Sequence, residues 1–314
     1  MYKSRKIKIC IITLLVCILA ILVKNQYSHI LLKNATYGIP ALINKGRVEN
    51  LYIGSSMFRQ GLDIHILNED TESDNYILSY NGNQPSSEYY QLKYLLDHDV
   101  KIENLYIDMY VYSAWKNPEI SDEKIFMEID TAEKWNLWKL IKGYSDTPVE
   151  SFWRIFVNSN NELLLTWPIM APILNSQFYN GGTLRETAPV SYETLMKASV
   201  APLNGEMNTI QQEYLSKIIE VAHANDINII FIETPKFETV ALNPAYVEAM
   251  EEYIELLEDK EVDYILSGAL AEQVKGVPLA VYEFDSSNAE YYMDTIHLSG
   301  GGRRTFSEKV SSIR

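Results

Sequence analysis

Near its C-terminal end the chain reads Tyr292-Met293-Asp294-Thr295-Ile296-His297-Leu298-Ser299, followed by three glycines. Far upstream, the apolar run Leu51-Tyr52-Ile53 ends in Gly54-Ser55-Ser56. An acid, an imidazole and a hydroxyl are what acyl transfer through a covalent intermediate needs. A spacing of three lets one short turn carry both the base, His297, and the carboxylate that fixes its tautomer, Asp294. Ser56 then supplies the nucleophile. A Gly-Ser-Ser turn opening a helix also offers free backbone N–H groups suited to an oxyanion. Each motif alone is common: Gly-Ser-Ser is an ordinary helix cap, and Asp-x-x-His an ordinary surface turn. Their order along the chain gives them weight. The other histidines, His29, His65, His98 and His223, have no comparable partner nearby in sequence.

The elements that must position these residues alternate. Leu51–Gly54 reads as a buried strand, followed by helix from Met57 to about Leu67. Asn75–Tyr80 is a second strand, closed by the turn Asn81-Gly82-Asn83. Pro85-Ser86-Ser87-Glu88 opens a helix running to about His98, and Leu105–Met109 is a third strand. Further on, Ile210, Tyr214, Leu215, Ile218, Ile219 and Ala222 share one helical face. Ile227–Ile232 is an apolar strand ended by Thr234-Pro235. A helix over 246–259, an apolar run Val281–Phe284 and a closing helix from about Gly302 complete the series. Fully apolar strands separated by helices predict a parallel sheet covered on both faces, with ligands at the carboxyl ends of the strands. Ser55, Ser56, Gly82, Asn83 and the stretch Asp108 to Tyr112 fall at those ends.

From about 111 to 205 the alternation stops. All five tryptophans lie there: Trp115, Trp135, Trp138, Trp153 and Trp167. We read a mostly helical insertion after the third strand, packed largely around its own aromatics and able to wall a groove or stack on sugar rings.

The N-terminus is separate. Lys3, Arg5, Lys6 and Lys8 precede the apolar run Ile9–Val23, and Lys24 closes it. With Ile7 counted and the flanking lysines snorkelling, the run reaches spanning length. A cleaved signal peptide fits less well, because no small-residue cleavage site follows. This predicts residues 1–29 as a cytoplasmic stub and transmembrane signal anchor, and 30–314 as an extracytoplasmic domain, with a core of about 48–110 and 210–314. The chain's two cysteines, Cys10 and Cys17, lie inside the apolar run, so no disulfide or thiolate metal site is available beyond it. Six of the 27 basic residues fall within the first 33 residues, which hold no acid; the remainder has 21 basic and 42 acidic residues, a net of −21. That acidity excludes nucleic acid as a partner and gives no basic face for anionic lipid. No His/Asp/Glu set has metal-ligand spacing and no glycine-rich phosphate loop follows a strand, so neither metal nor cofactor is expected.

Gly54-Ser55-Ser56, Gly82 and Asp294-Thr295-Ile296-His297-Leu298-Ser299 together resemble the SGNH (GDSL-like) hydrolase superfamily. The resemblance implies a flavodoxin-like three-layer α/β/α fold, with Ser56 as nucleophile, Asp294 and His297 completing the triad, and Gly82 as an oxyanion donor. The family's Gly-Asp-Ser is here Gly-Ser-Ser. Its Asn after the third strand has no counterpart in Ile107-Asp108-Met109-Tyr110, leaving Asn83 or a side chain near Tyr110 as substitute donor. With the N-terminal anchor, the pattern is also similar to the DltD-like accessory proteins of bacterial cell-surface acylation. That similarity implies a membrane-bound O-acyltransferase partner and a surface polysaccharide or teichoic acid as substrate. The expected activity is an acyltransferase or esterase working on O-acetyl or D-alanyl groups. A non-catalytic glycan-binding or assembly protein with the same fold is the alternative from another class.

Overall fold

A computed structural model of the chain describes every residue except 1, 34, 70–72, 127–128, 146, 204 and 314; for 2–5 and 126 it describes the backbone alone. The basic residues Lys3 and Arg5 fall in the backbone-only stretch.

Among the described residues there are eight strands: β1 (Arg47–Gly54), β2 (Asn75–Ser79), β3 (Lys101–Asp108), β4 (Phe178–Tyr179), β5 (Gly182–Thr183), β6 (Asn228–Ile232), β7 (Asp263–Ser267) and β8 (Ala280–Tyr282). Six of them form one sheet in the order β2-β1-β3-β6-β7-β8, and every pairing in it is parallel. Parallel strands need helical crossovers, which cover both faces and require side chains that are apolar on both. Leu51, Tyr52, Ile53, Leu105, Ile107, Ile229, Phe231 and Ile232 meet that requirement and are buried. On one face Leu51, Ile53, Leu105 and Phe231 pack with Ile39 and Leu42 of helix Gly38–Lys45, Leu92 and Leu95 of Pro85–Asp97, Ile218 of Thr209–Ala224, and Tyr253 and Leu257 of Pro244–Asp259. On the other face Tyr52, Ile77, Ile230 and Ile265 meet Phe58 of helix Ser56–Gly61, Leu67 of Ile64–Glu69, and Phe306 and Val310 of Gly300–Ile313. The chain thus adopts the three-layer α/β/α arrangement with a parallel sheet that the SGNH resemblance implies.

Local chemistry sets the helix starts. Asn208 accepts from the N–H groups of Ile210 and Gln211, and Asn243 from that of Ala245 with Pro244 at the first helical position. The helix after β1 comes in two short pieces, Ser56–Gly61 and Ile64–Glu69, where the sequence pattern predicts one. The strand order reverses direction between β1 and β3, so the switch point that opens a crevice lies where Gly54 and Asp108 end their strands.

The stretch after β3 is helical over Thr131–Tyr144 and almost without interruption from Pro148 to Gln177. Trp135, Trp138, Phe152 and Phe156 pack against one another within it, Trp167 is buried, and Trp153 stays exposed. It returns through the antiparallel hairpin β4–β5, which no periodicity in the sequence announces, and Asn180 at its tip accepts from the Ile77 N–H on edge strand β2. At the N-terminus the helix Tyr2–Leu32 contains one stretch, Lys6–Leu32, long and apolar enough to cross a membrane.

The final helix starts in Gly300-Gly301-Gly302 for a packing reason. A Cβ on Gly302 would run into the Tyr291 carbonyl, backbone against backbone. Gly302→Ala is expected to push the final helix away from the loop bearing His297 and to cost about 1–3 kcal/mol of stability. Urea unfolding checks this; an unchanged midpoint would show that the helix has slack there.

Candidate functional site

Ser56 is the first residue of the helix after β1, and Ser55 is its cap. Ser55 Oγ accepts from the Met57 N–H at 3.1 Å, while Ser55's own N–H and hydroxyl both donate to Asp108 Oδ2 at the end of β3, at 2.7 and 2.6 Å. The neighbouring Gly54 makes this approach possible, since a Cβ there would sit 2.6 Å from the Asp108 carboxyl carbon. Ser56 is thereby held at the switch point from two sides.

Opposite it, Asp294 Oδ1 accepts from the N–H groups of Ile296 (2.9 Å) and His297 (2.8 Å), closing a tight turn. Its other oxygen, Oδ2, lies 2.8 Å from His297 Nδ1, and His297 Nε2 lies 2.8 Å from Ser56 Oγ. An ionised carboxylate only accepts, so Nδ1 carries the proton and Nε2 is left to accept from the Ser56 hydroxyl. Burial pushes the Asp294 carboxyl up, but the His297 ring and the two N–H donors outweigh it and hold the carboxyl below its ordinary range. Asp294 is therefore anionic where an imidazolium would form. The arrangement can take a proton from Ser56 onto His297 while Asp294 stabilises the charge.

The loop bearing Asp294 and His297 is braced by three elements. Tyr292 donates its hydroxyl to the Lys236 carbonyl at 2.9 Å, and the Phe237 N–H reaches the Thr295 carbonyl at 3.0 Å, so the exit of β6 holds the loop from inside. From the return of the long helical stretch, the Val190 N–H donates to the Tyr292 carbonyl at 3.0 Å, and the Thr187 carbonyl accepts from Gly300 N–H at 2.8 Å. Arg303 of the final helix ties the same return segment by donating to the carbonyls of Thr183 and Arg185.

Gly82 and Asn83 lie beside Gly54. The Gly54 carbonyl accepts from the Tyr80 N–H at 3.1 Å and from Asn83 Nδ2 at 3.3 Å. The Asn83 amide also donates to Gln91 at 3.1 Å, and its backbone N–H to Tyr80 at 3.2 Å. Its donors are thus engaged in fastening the 80–83 turn to the nucleophile segment. The Gly82 N–H has no acceptor among the described residues. Tyr110 stands near Asp108 and Asp294; burial first, then those two carboxylates, push its hydroxyl up to about 12.

Three buried ionisable residues around the site have no chemical role in the sequence reading. Asp108 is pushed up to about 6 by burial, against the pull of the Ser55 bonds and of Lys236. Glu88, in the first turn of helix Pro85–Asp97, is pushed well above the carboxylate range by burial and by Asp108. Lys236 donates to the carbonyl and hydroxyl of Thr234; burial lowers it, while Glu233, Asp108 and Asp294 draw it back up. The available signal was a carboxylate closing an apolar strand, Tyr106-Ile107-Asp108; nothing local marks Lys236 or Glu88. Among the described residues no cluster of His, Cys, Asp or Glu could hold a metal ion.

Fold and site define a parallel α/β/α protein that joins a serine, a histidine and an aspartate at the carboxyl ends of its strands. No family model matches the chain, and no curated protein matches it. Among solved structures, that of TesA is similar over 84% of this chain and 97% of that one, at 12% identity and a TM-score of 0.38.

The Asp108 shift sets a pH dependence of stability. Between its ordinary value of 3.8 and about 6, the folded chain keeps a proton that the unfolded chain has released. Its contribution to stability is therefore fullest below pH 4, falls as pH rises to about 6 and is level above. Asp108→Asn keeps an oxygen for Ser55 and removes that fall. Unfolding midpoints between pH 4 and 7 should decline less in the variant than in the parent; equal declines would mean that Asp108 is not protonated in this range.

Proposed function

We propose that the chain is a membrane-anchored, extracytoplasmic serine acyltransferase or esterase of SGNH type. It acts on O-acyl groups, O-acetyl or D-alanyl, of a bacterial surface polysaccharide or teichoic acid. The observation that carries this is the pair of 2.8 Å hydrogen bonds joining Ser56, His297 and Asp294 across 241 residues of sequence. The N-terminal helix supports the anchor, and the resemblance to surface-acylation accessory proteins supplies the substrate class and a membrane-bound O-acyltransferase as partner.

In this reading His297 Nε2 takes the Ser56 proton as Oγ attacks the acyl carbonyl. The backbone N–H groups of Ser56 and Gly82 receive the developing oxyanion. Collapse breaks the bond to the leaving group, which takes the proton from His297 and leaves the acyl group on Ser56. An acceptor hydroxyl then gives its proton to His297 and attacks the acyl-serine. Breaking the Ser56–acyl bond returns the proton to Oγ. A sugar or polymer hydroxyl as acceptor makes the enzyme a transferase, and water makes it an esterase; the machinery is the same.

Ser56→Ala should abolish labelling by a fluorophosphonate probe, and His297→Ala should lower the labelling rate by about 10²–10⁴-fold. In cells, either variant should change the acyl content of the surface polymer relative to the parent. Unchanged acyl content with both variants, each present at parental level, would refute the enzymatic reading.

A further inference from the structure

Helix Thr131–Tyr144 buries Lys134, Leu137 and Ile141 along one side. Lys134 is 6% exposed, and its Nζ donates to Ser159 Oγ at 3.2 Å. Ser159 is also buried and donates its hydroxyl to the Ile155 carbonyl. Among the described residues no carboxylate forms an ion pair with Lys134. Asp130, one turn earlier, accepts on Oδ1 from the N–H groups of Ala132 and Glu133 and so caps the helix. Glu133 pairs with Lys93 at 3.4 Å.

A second lysine stands close by. Lys24, where the apolar run of the N-terminal helix ends, donates from Nζ to Asn160 Oδ1 at 2.9 Å, one residue along from Ser159. Both lysines line one cleft of about 360 Å³, together with Ser28, Asp130, Thr131 and Asn160. Burial first, and then Lys24, lowers Lys134 to about 8. Among the described residues, the walls of the cleft thus carry two ammonium groups and one carboxylate.

Taking an ammonium out of water without an ion pair is unfavourable, and a second cation nearby makes it more so. Neutral acceptors such as Ser159 Oγ and Asn160 Oδ1 offset only part of that. An anion in the cleft would answer both lysines at once. Two ammonium groups, each with three N–H donors, match an anion that offers several oxygens. Position decides which anion. A lysine closing an apolar span sits at headgroup level, where the phosphates of the bilayer are the concentrated anions. The net charge of −21 beyond residue 33 repels anions from a distance. Salt screens that repulsion beyond about 8 Å, and the two lysines act at contact.

We propose that the cleft between Lys24 and Lys134 binds a phosphate group, that of one phospholipid headgroup beside the N-terminal helix. The phosphate chemistry stands on the two lysines. The lipid as its source rests on reading that helix as an anchor. A zwitterionic lipid suffices, since the site takes one phosphate and needs no basic face.

The test uses the full chain in dodecyl maltoside micelles containing phosphatidylcholine, with retained lipid counted by native mass spectrometry. One lipid per chain should survive removal of the micelle. Lys134→Gln keeps a donor for Ser159, and it and Lys24→Gln should each lower the retained fraction about fivefold. In lipid-free micelles, inorganic phosphate should raise the unfolding midpoint of the parent above that in chloride of equal ionic strength, and not that of Lys134→Gln. Phosphate stabilisation without lipid retention would make a soluble phosphate the source and overturn the headgroup. Lipid retained equally by all three chains, with no effect of phosphate, overturns the site. So does a Lys134→Gln midpoint lowered by the same margin in phosphate and chloride, which would make Lys134 a packing residue. Alkaline carbonate washing of vesicles reports on the anchor alone: a chain that resists washing yet retains no lipid overturns the headgroup and leaves the anchor standing.

Discussion

The constraint on which the site depends is the buried Asp108 carboxylate between the ends of β1 and β3. It takes both donors of Ser55 on one oxygen, and Ser55 in turn caps the helix that Ser56 opens. The position of Ser56 is thus set from a neighbouring strand as well as by its own turn. Burying a carboxylate is costly unless it is hydrogen-bonded, neighboured by a cation or protonated. Asp108 uses all three: the Ser55 donors, Lys236 close enough to pull its ionisation down, and a raised affinity for the proton. A Cβ on Gly54 would collide with that carboxyl, so the glycine of the Gly-Ser-Ser segment is required by its neighbour.

The other half of the site is a loop with little regular structure, and its accuracy must come from its surroundings. Tyr292 reaches the Lys236 carbonyl, Phe237 the Thr295 carbonyl and Val190 the Tyr292 carbonyl, while Asp294 closes the turn on its own backbone. These partners come from the β6 exit and from the return of the long helical stretch. Each is a separate tether, so the His297 ring is oriented by backbone bonds outside the Ser56–His297–Asp294 chain itself. Such support is what holds a catalytic geometry to the tolerance that proton transfer requires.

Much of this was legible in the sequence because it follows from periodicity and turn chemistry. Fully apolar strands such as Leu51–Ile53 and Ile229–Ile232 can sit only in a sheet covered on both faces, and the alternation fixed its parallel sense. The three residues brought together by hydrogen bonds, Ser56, Asp294 and His297, are marked in the sequence by position at strand ends and by spacing. What escaped depends on which chain segments meet in space. Asp108 looked like the loss of a donor, because the sequence does not show that a serine from the next strand would turn to it. Asn83 has the chemistry of an oxyanion donor, yet both hydrogens of its amide are engaged, by Gly54 and Gln91. Lys236 and Glu88 are charged residues in amphipathic surroundings, where exposure is the default expectation. The hairpin β4–β5 comprises two-residue strands, too short for any alternation to register.

The long excursion after β3 also has a mechanical consequence that its composition did not suggest. It touches the exit of the N-terminal helix at Asn160 and Asn175, the sheet edge at Asn180, and the His297 loop through Thr187 and Val190. One continuous segment therefore connects the exit of the N-terminal helix to the loop that bears His297. A link of this kind relates the placement of the helix Pro148–Gln177 to that of the crevice between β1 and β3. The insertion thus bears on the site through geometry, by holding the loop of His297, without supplying a group to the Ser56–His297–Asp294 chain.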